Sequence, residues 1–234
     1  MASTAQATIA AATALEPQPG ETLARAICDR LRADILSGRL EPGTKLRLED
    51  LRSEFGVSWS PIREALSRLV AEGLIGTEGQ RGYRVAPVSK AGLAEVIRLR
   101  SLLEGLALRE SIEHGDDAWE AELLAAHHRL SKLEDTRWDP ANREEWERWH
   151  RRFHDALIAA CASPILLQFC AQLHDINDRY RRIFLSTHKF DHDVAGEHRR
   201  LMEATLARDA PGACGVLQGH IERTGKNLLR TMHD

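Results

Sequence analysis

Four histidines in the second half of the chain have the type and spacing needed to bind a metal ion. His150 and His154 are four residues apart, so on one helix both side chains project from the same face. His198 and His220 fall in two later helical stretches. Neutral imidazole is a ligand for Zn²⁺ and other divalent transition ions. The spacing is compatible with convergence in a metal site, although on spacing alone four separately exposed or hydrogen-bonded histidines are the commoner arrangement.

The chain has 11 histidines, so a single histidine in a helix carries little information. We interpret five others as ordinary surface or hydrogen-bonded side chains: His127, His128, His174, His188 and His192. The prediction of a metal site therefore depends on the group of four and on helices that bring them together.

Polar and cationic side chains near residue 60 form a second group, at the start of a short predicted helix. Ser60 and Pro61 are a start signal, a capping hydroxyl followed by proline at the first helical position. Apolar residues at three-to-four-residue spacing form its buried face: Ile62, Leu66, Leu69 and Val70. An arginine at the exposed front end, Arg63, can bond a guanine edge or a phosphate. This pattern is typical of a helix that reads DNA.

The elements around this helix complete a winged helix-turn-helix. In that motif the second of the two helices joined by the turn enters the major groove. An apolar stripe predicts a first helix from Leu23 to Leu36, and a second runs from about Leu48 to Phe55, ended by Gly56. Residues 75–85 include Gly79 and Gly82, which are suited to a hairpin turn. Each piece alone could be a solvated helix or a surface hairpin, but the ordered set is much more specific.

The residues expected to contact DNA lie in and beside these elements. They are Arg47, Ser58, Trp59, Ser60, Arg63, Ser67, Arg81 and Gly82. Hydroxyls and backbone N–H groups can bond phosphates, and Arg81 and Arg84 in the hairpin could reach the backbone or the minor groove. We expect double-stranded DNA to be the partner.

Length and charge limit the function further. A chain of 234 residues is long enough for two domains, and 43% hydrophobic residues support real cores. The formal net charge of −3 excludes a polycation that coats nucleic acid. DNA binding must come from a few placed arginines, doubled by dimerisation, and should be sensitive to salt.

Cysteine usage and the N-terminus favour a cytoplasmic protein. Four cysteines without a Cys-x-x-Cys pair predict buried thiols in a reducing compartment: Cys28, Cys161, Cys170 and Cys214. No apolar run approaches the roughly 20 residues of a membrane span. Residues 1–19 contain no Lys or Arg, unlike the start of a signal peptide, and we interpret them as a flexible tail.

The remaining sequence predicts an all-α second domain. After a hinge at Val88-Ser89-Lys90, apolar residues recur at helical spacing almost to the end of the chain. We predict a mainly α protein: a winged helix-turn-helix with a small β-hairpin wing at residues 20–88, and an all-α bundle of six or seven helices at residues 89–234.

The N-terminal motifs resemble those of the GntR superfamily of bacterial transcriptional regulators. The resemblance covers residues 21–88 and includes the stretches Phe55-Gly56-Val57-Ser58, Pro61-Ile62-Arg63-Glu64-Ala65-Leu66 and Arg81-Gly82-Tyr83-Arg84-Val85. It implies that Arg63 contacts the operator. The family usually has an arginine where this chain has Trp59, so that arginine's role is not transferred.

The C-terminal region resembles the FCD effector domain of the FadR-like branch of this superfamily. Many FCD domains hold a divalent metal with one Asp and three His; His154, His198 and His220 match the histidines, and His150 stands at the Asp position. The loss of a carboxylate should favour Zn²⁺ or Ni²⁺ over Mn²⁺ or Mg²⁺. Arg100 matches an arginine that faces this pocket, which implies an anionic, carboxylate-bearing effector. The alternative for Arg100 is an intrahelical pair with Glu104.

Together these resemblances imply a homodimeric, ligand-responsive transcription factor, a repressor on a short palindromic operator. A narrower similarity, to regulators of carbon-starvation and glutarate metabolism, implies a dicarboxylate or hydroxy acid as the ligand. Ligand binding would shift the helices next to the hinge.

Two other functions remain open at this point. His154-Asp155 and His174-Asp175 resemble the His-Asp dipeptides of metal-dependent helical phosphohydrolases. A hydrolase needs a placed general base, and we expect no glutamate near His150 and His154. The other alternative is an architectural DNA-binding dimer with inert histidines.

Overall fold

The three-dimensional structure, a computed structural model, describes residues 20–78, 82–134, 140–184 and 193–232. The N-terminal tail, Arg81, His188 and His192 lie outside the described residues. Contacts divide the chain into two units: Met1–Ser89 with Asp178–Ile183, and Lys90–Asn177 with Phe184–Asp234. Each unit is described separately.

The first unit contains three helices and a small antiparallel sheet. The helices are α1 (Leu23–Leu36), α2 (Leu48–Phe55) and α3 (Trp59–Ala71). The strands are β1 (Lys45–Leu46), β2 (Ile75–Thr77) and β3 (Tyr83–Val85), in the order β1-β3-β2. This is the predicted winged helix-turn-helix. The apolar faces of α1 and α3 enclose one core with the sheet, because Ile27, Leu31, Ile62, Leu66 and Val85 are all buried.

Two details of this unit differ from the sequence prediction. Helix α3 begins at Trp59 with Ser58 as its N-cap, two positions before the proposed start at Ser60 and Pro61. Pro61 is accepted inside the first turn because an N–H there has no intrahelical acceptor. The wing also gains a third strand, since Leu46 pairs with Tyr83 across β1 and β3. A two-residue strand is too short to show alternation in the sequence.

The turn before α3 fixes where that helix starts. Gly56 adopts a left-handed backbone conformation with φ of 65°, and its N–H donates to the carbonyl of Arg52. A residue with a side chain would be strained at this angle, so glycine allows α2 to stop and α3 to leave in a new direction. The boundaries of α2 agree with the prediction.

The second unit is all-helical in the residues described, which confirms the predicted fold class. Its elements are α4 (Lys90–His114), α5 (Asp117–Glu134), a 3₁₀ turn (Pro140–Asn142), α6 (Arg143–Ile158), α7 (Pro164–Phe184), α8 (Val194–Leu206) and α9 (Ala210–Thr231). The last turns of α7 belong to the first unit, where the hydroxyl of Tyr180 donates to the carbonyl of Ser89.

Buried side chains from these helices form one core that positions the histidine-bearing segments. Phe153 on α6, Leu201 on α8 and Leu217 on α9 are almost fully buried in it. Each lies within three residues of one of the predicted ligands, so core packing fixes the helix faces that carry the histidines.

The four cysteines are free, and three are buried. Among the described residues, no helix has the length and apolar character of a membrane span.

Candidate metal centre and nucleic-acid interface

The predicted DNA-contacting residues lie mostly on one exposed end of the first unit. Ser58, Ser60, Arg63 and Ser67 on or beside α3 are exposed, as is Arg47 before α2, and Trp59 is partly buried. Exposure at the N-terminal end of α3 also leaves its unpaired backbone N–H groups accessible, and these favour anions such as phosphate.

Ion pairing distinguishes the arginines of this unit from one another. Six arginines on α1, on α3, in the loop after α1 and in the sheet pair with carboxylates: Arg25, Arg30, Arg32, Arg39, Arg68 and Arg84. Arg47, Arg52 and Arg63 have no carboxylate within ion-pair distance in the described part of the chain. Their N–H donors are therefore available to an external acceptor.

The wing contributes less than the sequence suggested, because Arg84 is already engaged. Its Nε donates to Glu78 Oε1 at 2.7 Å, and its terminal nitrogen donates to the carbonyl of Gly43. The predicted contact at Arg81 lies outside the described residues. Gly82 has a φ of 110°, which shows that the hairpin needs glycine at that position.

The four predicted metal ligands come together in the second unit. His150 and His154 come from α6, His198 from α8 and His220 from α9, and all four are buried. One possible ligand atom from each lies within 4.8 Å of the others. The ring centroids of His198 and His220 are 4.8 Å apart, and those of His154 and His220 are 5.2 Å apart.

Buried nitrogens without partners show that this group fits a metal ion. Both ring nitrogens of His154 and the Nε2 of His198 are buried and have no hydrogen-bond partner among the residues that the structure describes. A buried polar atom left unpaired costs about 1–3 kcal/mol, and native proteins rarely carry several in one place. A divalent cation bound by these lone pairs would remove that cost.

Two glutamates outside the cluster orient its imidazole rings. His198 Nδ1 is 2.8 Å from Glu134 Oε1, and His220 Nδ1 is 2.8 Å from Glu197 Oε2. A carboxylate at Nδ1 holds the proton there, which leaves Nε2 with its lone pair. The expectation that no glutamate lies near His150 and His154 is wrong for His154, because a carboxylate oxygen of Glu104 lies within 4.8 Å of a His154 ring nitrogen.

Burial favours the neutral form of two of these ligands. It lowers the pKa of His220 to about 4, against a rise from the Glu197 carboxylate. Burial, followed by the neighbouring His220 and His198, lowers the pKa of His154 well below its usual value. For Glu197, burial raises the pKa, but its bonds to His220 and Arg223 outweigh this and lower it to about 2. At neutral pH, His154 and His220 are therefore neutral imidazoles, and Glu197 beside His220 is a charged carboxylate.

Arg100 forms the intrahelical pair that the sequence left as an alternative. Its Nε donates to Glu104 Oε1 at 2.6 Å, and a terminal nitrogen donates to Glu104 Oε2 at 3.2 Å. Both side chains are buried. Burial raises the pKa of Glu104, but Arg100 and then His174 outweigh it and hold the pKa at about 2.

His174, interpreted from the sequence as an ordinary surface or hydrogen-bonded histidine, is buried and hydrogen-bonded beside the cluster. Its Nε2 lies 3.0 Å from Glu104 Oε1 and 3.2 Å from a terminal nitrogen of Arg100. Ligand atoms of Glu104, His154 and His174 also lie within 4.8 Å of one another. The Arg100 pair therefore adjoins the four-histidine cluster through His154, which is a member of both groups.

The first unit is a winged helix-turn-helix with arginines on or near α3 that have no carboxylate partner in the described residues. The second unit is all-helical in those residues and holds a buried histidine cluster. Together they define a DNA-binding regulator with a second, helical domain. Comparison with known proteins agrees. Residues 23–85 match "Bacterial regulatory proteins, gntR family", and residues 95–223 match the "FCD domain". The chain therefore belongs to the GntR family of bacterial transcriptional regulators and carries an FCD domain.

Relatives resemble the chain over most of its length. It is 42% identical to "Uncharacterized HTH-type transcriptional regulator BphR" of Paraburkholderia xenovorans (strain LB400), over 86% of this chain and 83% of that protein. It is 38% identical to "HTH-type transcriptional repressor GlaR" of Escherichia coli (strain K12), over 82% and 89%. The solved structure "E. coli McbR/YncC" has a TM-score of 0.75 at 23% identity, covers 89% of this chain and 98% of that one, and shares the fold.

These relatives are regulators rather than enzymes, so the phosphohydrolase alternative is rejected. The family matches account for both units, including the winged helix that a hydrolase would leave without a role. The histidine cluster therefore belongs to a regulator, where a metal would bind a ligand and need not activate water.

Proposed function

We propose that this chain is a homodimeric repressor that binds a short palindromic operator and is released by a small carboxylate at a metal-containing pocket. Residues 20–88 would bind DNA, and residues 89–234 would bind the effector and dimerise. The protein would act in the bacterial cytoplasm, on the nucleoid when bound to DNA. A relative at 38% identity is called a transcriptional repressor, which supports the sign of regulation.

The observation that carries this proposal is the set of buried, unpartnered nitrogens on His154 and His198. With His150 and His220 they would hold a divalent metal through four neutral imidazoles. Such a donor set favours Zn²⁺, or Ni²⁺, over Mn²⁺ and Mg²⁺, which prefer oxygen ligands. The bound ion would act as a Lewis acid that holds an anionic oxygen of the effector.

Arg100 is the second anion-binding group in this proposal. Its guanidinium already binds a carboxylate, that of Glu104, and both are withdrawn from solvent. An effector carboxylate could replace Glu104 in the same two-bond geometry, and Glu104 could keep its contact with His174. The effector carboxylate adds one negative charge to the buried site, and the divalent cation held by the four histidines would balance it.

Exposed apolar side chains support self-association of the helical unit. Leu102 and Leu106 are four residues apart on α4, and Ile165 and Phe169 are four residues apart on α7. They are 59%, 48%, 69% and 53% exposed. Large apolar side chains at this spacing mark one face of a helix, and we propose that a second copy of the chain covers them.

The proposal is tested by metal analysis, solution mass and DNA binding on one preparation. We expect about one Zn²⁺ per chain, a mass of twice the chain, and a mobility shift on a duplex that the protein selects from random sequence. A small dicarboxylate should reverse the shift. If the protein selects no sequence, the proposed binding to an operator is contradicted. If it holds no metal, or if no small carboxylate changes its DNA binding, the proposed effector pocket is contradicted.

A further inference from the structure

An arginine on α2 lies against the first residue of α3, the helix predicted to enter the major groove. The guanidinium carbon of Arg52, on α2, lies 5.2 Å from the centroid of the Trp59 ring at the start of α3. Arg52 is exposed and Trp59 is partly buried. A cation over an indole face is attracted by about 0.5–1 kcal/mol at an exposed site. The contact is therefore strong enough to bias the position of the arginine.

This form of support leaves the hydrogen-bond donors of Arg52 available. A cation–π contact is made by the charge of the guanidinium over the indole face and uses none of its N–H groups as hydrogen-bond donors. An ion pair uses those same N–H groups, as in Arg68, whose terminal nitrogen donates to Glu64 Oε1 at 2.7 Å. In the residues described, Arg52 has no such bond, although Glu49 lines the same hollow.

The hollow beside Arg52 opens at the N-terminal end of α3. It is lined by Glu49, Arg52, Ser53, Gly56, Val57 and Trp59. Ser53 adds an exposed hydroxyl, and Gly56 adds a position without a side chain. The start of α3 adds the positive end of a helix dipole. The Arg52 guanidinium, the hydroxyl and the helix dipole favour an anion that approaches from outside, and the Glu49 carboxylate opposes it.

We propose that Arg52, positioned by Trp59, binds a phosphate of the DNA backbone. The inference rests on the proposed function, because it needs α3 to enter the major groove. The helix before the recognition helix then crosses the sugar-phosphate backbone, so a cation on α2 faces phosphates rather than base edges. Arg52 fixes the register of the protein on DNA without reading sequence.

Arg52→Ala should weaken binding to a selected duplex and to a random-sequence duplex by the same factor. It should also reduce the slope of log affinity against log salt by about one, because one phosphate contact is lost. Fluorescence anisotropy over a salt series measures both. Arg68→Ala is the matched control, an arginine of the same unit that is already paired, and should keep the wild-type slope.

A double-mutant cycle with Trp59→Leu tests the role of the indole. Leucine keeps apolar bulk but has no aromatic face, so Arg52→Ala should cost less in that background than in the wild type. Thermal unfolding of each variant checks that the unit remains folded. A merely structural role for Arg52 would change the unfolding temperature and leave the salt slope as it is.

Several results would overturn the assignment. They are an unchanged salt slope in Arg52→Ala, a loss confined to the selected duplex, or equal losses in the two backgrounds of the cycle. An unchanged salt slope would mean that Arg52 does not contact a phosphate. A loss confined to the selected duplex would mean that Arg52 contacts bases. Equal losses in the two backgrounds would mean that Trp59 does not position Arg52. Failure of the wild-type protein to prefer its selected duplex is a separate outcome, which overturns the proposed function itself.

Discussion

The two units of this chain both concentrate unpaired polar groups, but of opposite kinds. Within the described residues, Arg52 and Arg63 of the winged unit are exposed cations without carboxylate partners, and water solvates them at little cost. In the helical unit, His154 and His198 carry buried nitrogens without partners among the described residues, where each costs about 1–3 kcal/mol. The exposed arginines are stable in water without a bound polyanion, whereas a bound ion would remove the cost of the buried nitrogens.

The largest expected effect comes from removing that occupant's ligands. His154→Ala with His198→Ala should abolish metal binding, because two of the four proposed donors are lost. Elemental analysis of the purified variant measures it. His128→Ala, an exposed histidine of the same unit, should retain the metal. Full metal content in the double variant would show that these histidines do not bind the metal, and the contrast between the two units would then be lost.

Arg63→Ala tests the other side of the comparison. Loss of its contact should cost about 1–3 kcal/mol of operator affinity and relax preference at one base position, if it reads a guanine edge. Selection from random sequence with wild type and variant compares affinity and preference together. Metal content should not change, since Arg63 lies in the winged unit. Undiminished affinity and preference would move the reading position elsewhere.

Arg100→Ala should affect the response to ligand and spare DNA binding. The variant removes the proposed partner of the effector carboxylate, so we expect a given concentration of dicarboxylate to release less DNA. Arg100→Lys keeps the charge but not the two-bond geometry and should recover only part of the response. Because the change leaves Glu104 buried beside His174, thermal unfolding must be measured in parallel. An unchanged dose response would exclude Arg100 from the effector site.

A smaller effect is expected from pH on the metal-free protein. Burial lowers the pKa of His154 and His220 in the folded state, so below the ordinary value of 6.5 the unfolded chain takes up protons first. Folding stability then falls as pH falls, and the unfolding temperature should drop by several degrees between pH 7 and 5. The drop should be shallower in the His154→Ala and His198→Ala variant. An equal drop in both would assign it to other groups.

Local signals explain which features the sequence could predict. The winged unit is built from neighbours in sequence, so a glycine after α2 and the apolar spacing of α3 are enough to predict that Arg63 is exposed near the start of that helix. The pair His150 and His154 was visible for the same reason, as two positions one turn apart on a helix. The start of α3 was misplaced because a proline in the first turn looks the same at its first and third positions.

Contacts between distant segments explain what was missed. Glu134 reaches His198 across 64 positions, and His174 reaches Arg100 across 74. A glutamate near the end of a helix and a single histidine have no distinguishing pattern in one sequence. The contact between Arg52 and the Trp59 ring was missed for a different reason. It depends on the angle that the Gly56 turn sets between two short helices, which spacing alone does not give.

The most direct test of the whole account is the operator affinity of the zinc-loaded protein, measured by fluorescence anisotropy with and without a small dicarboxylate. We expect the dicarboxylate to lower the affinity of the wild-type protein and to leave that of the His154→Ala and His198→Ala variant unchanged. An equal decrease in both proteins, or no decrease in the wild type with any small carboxylate, would contradict control of DNA binding by the histidine site.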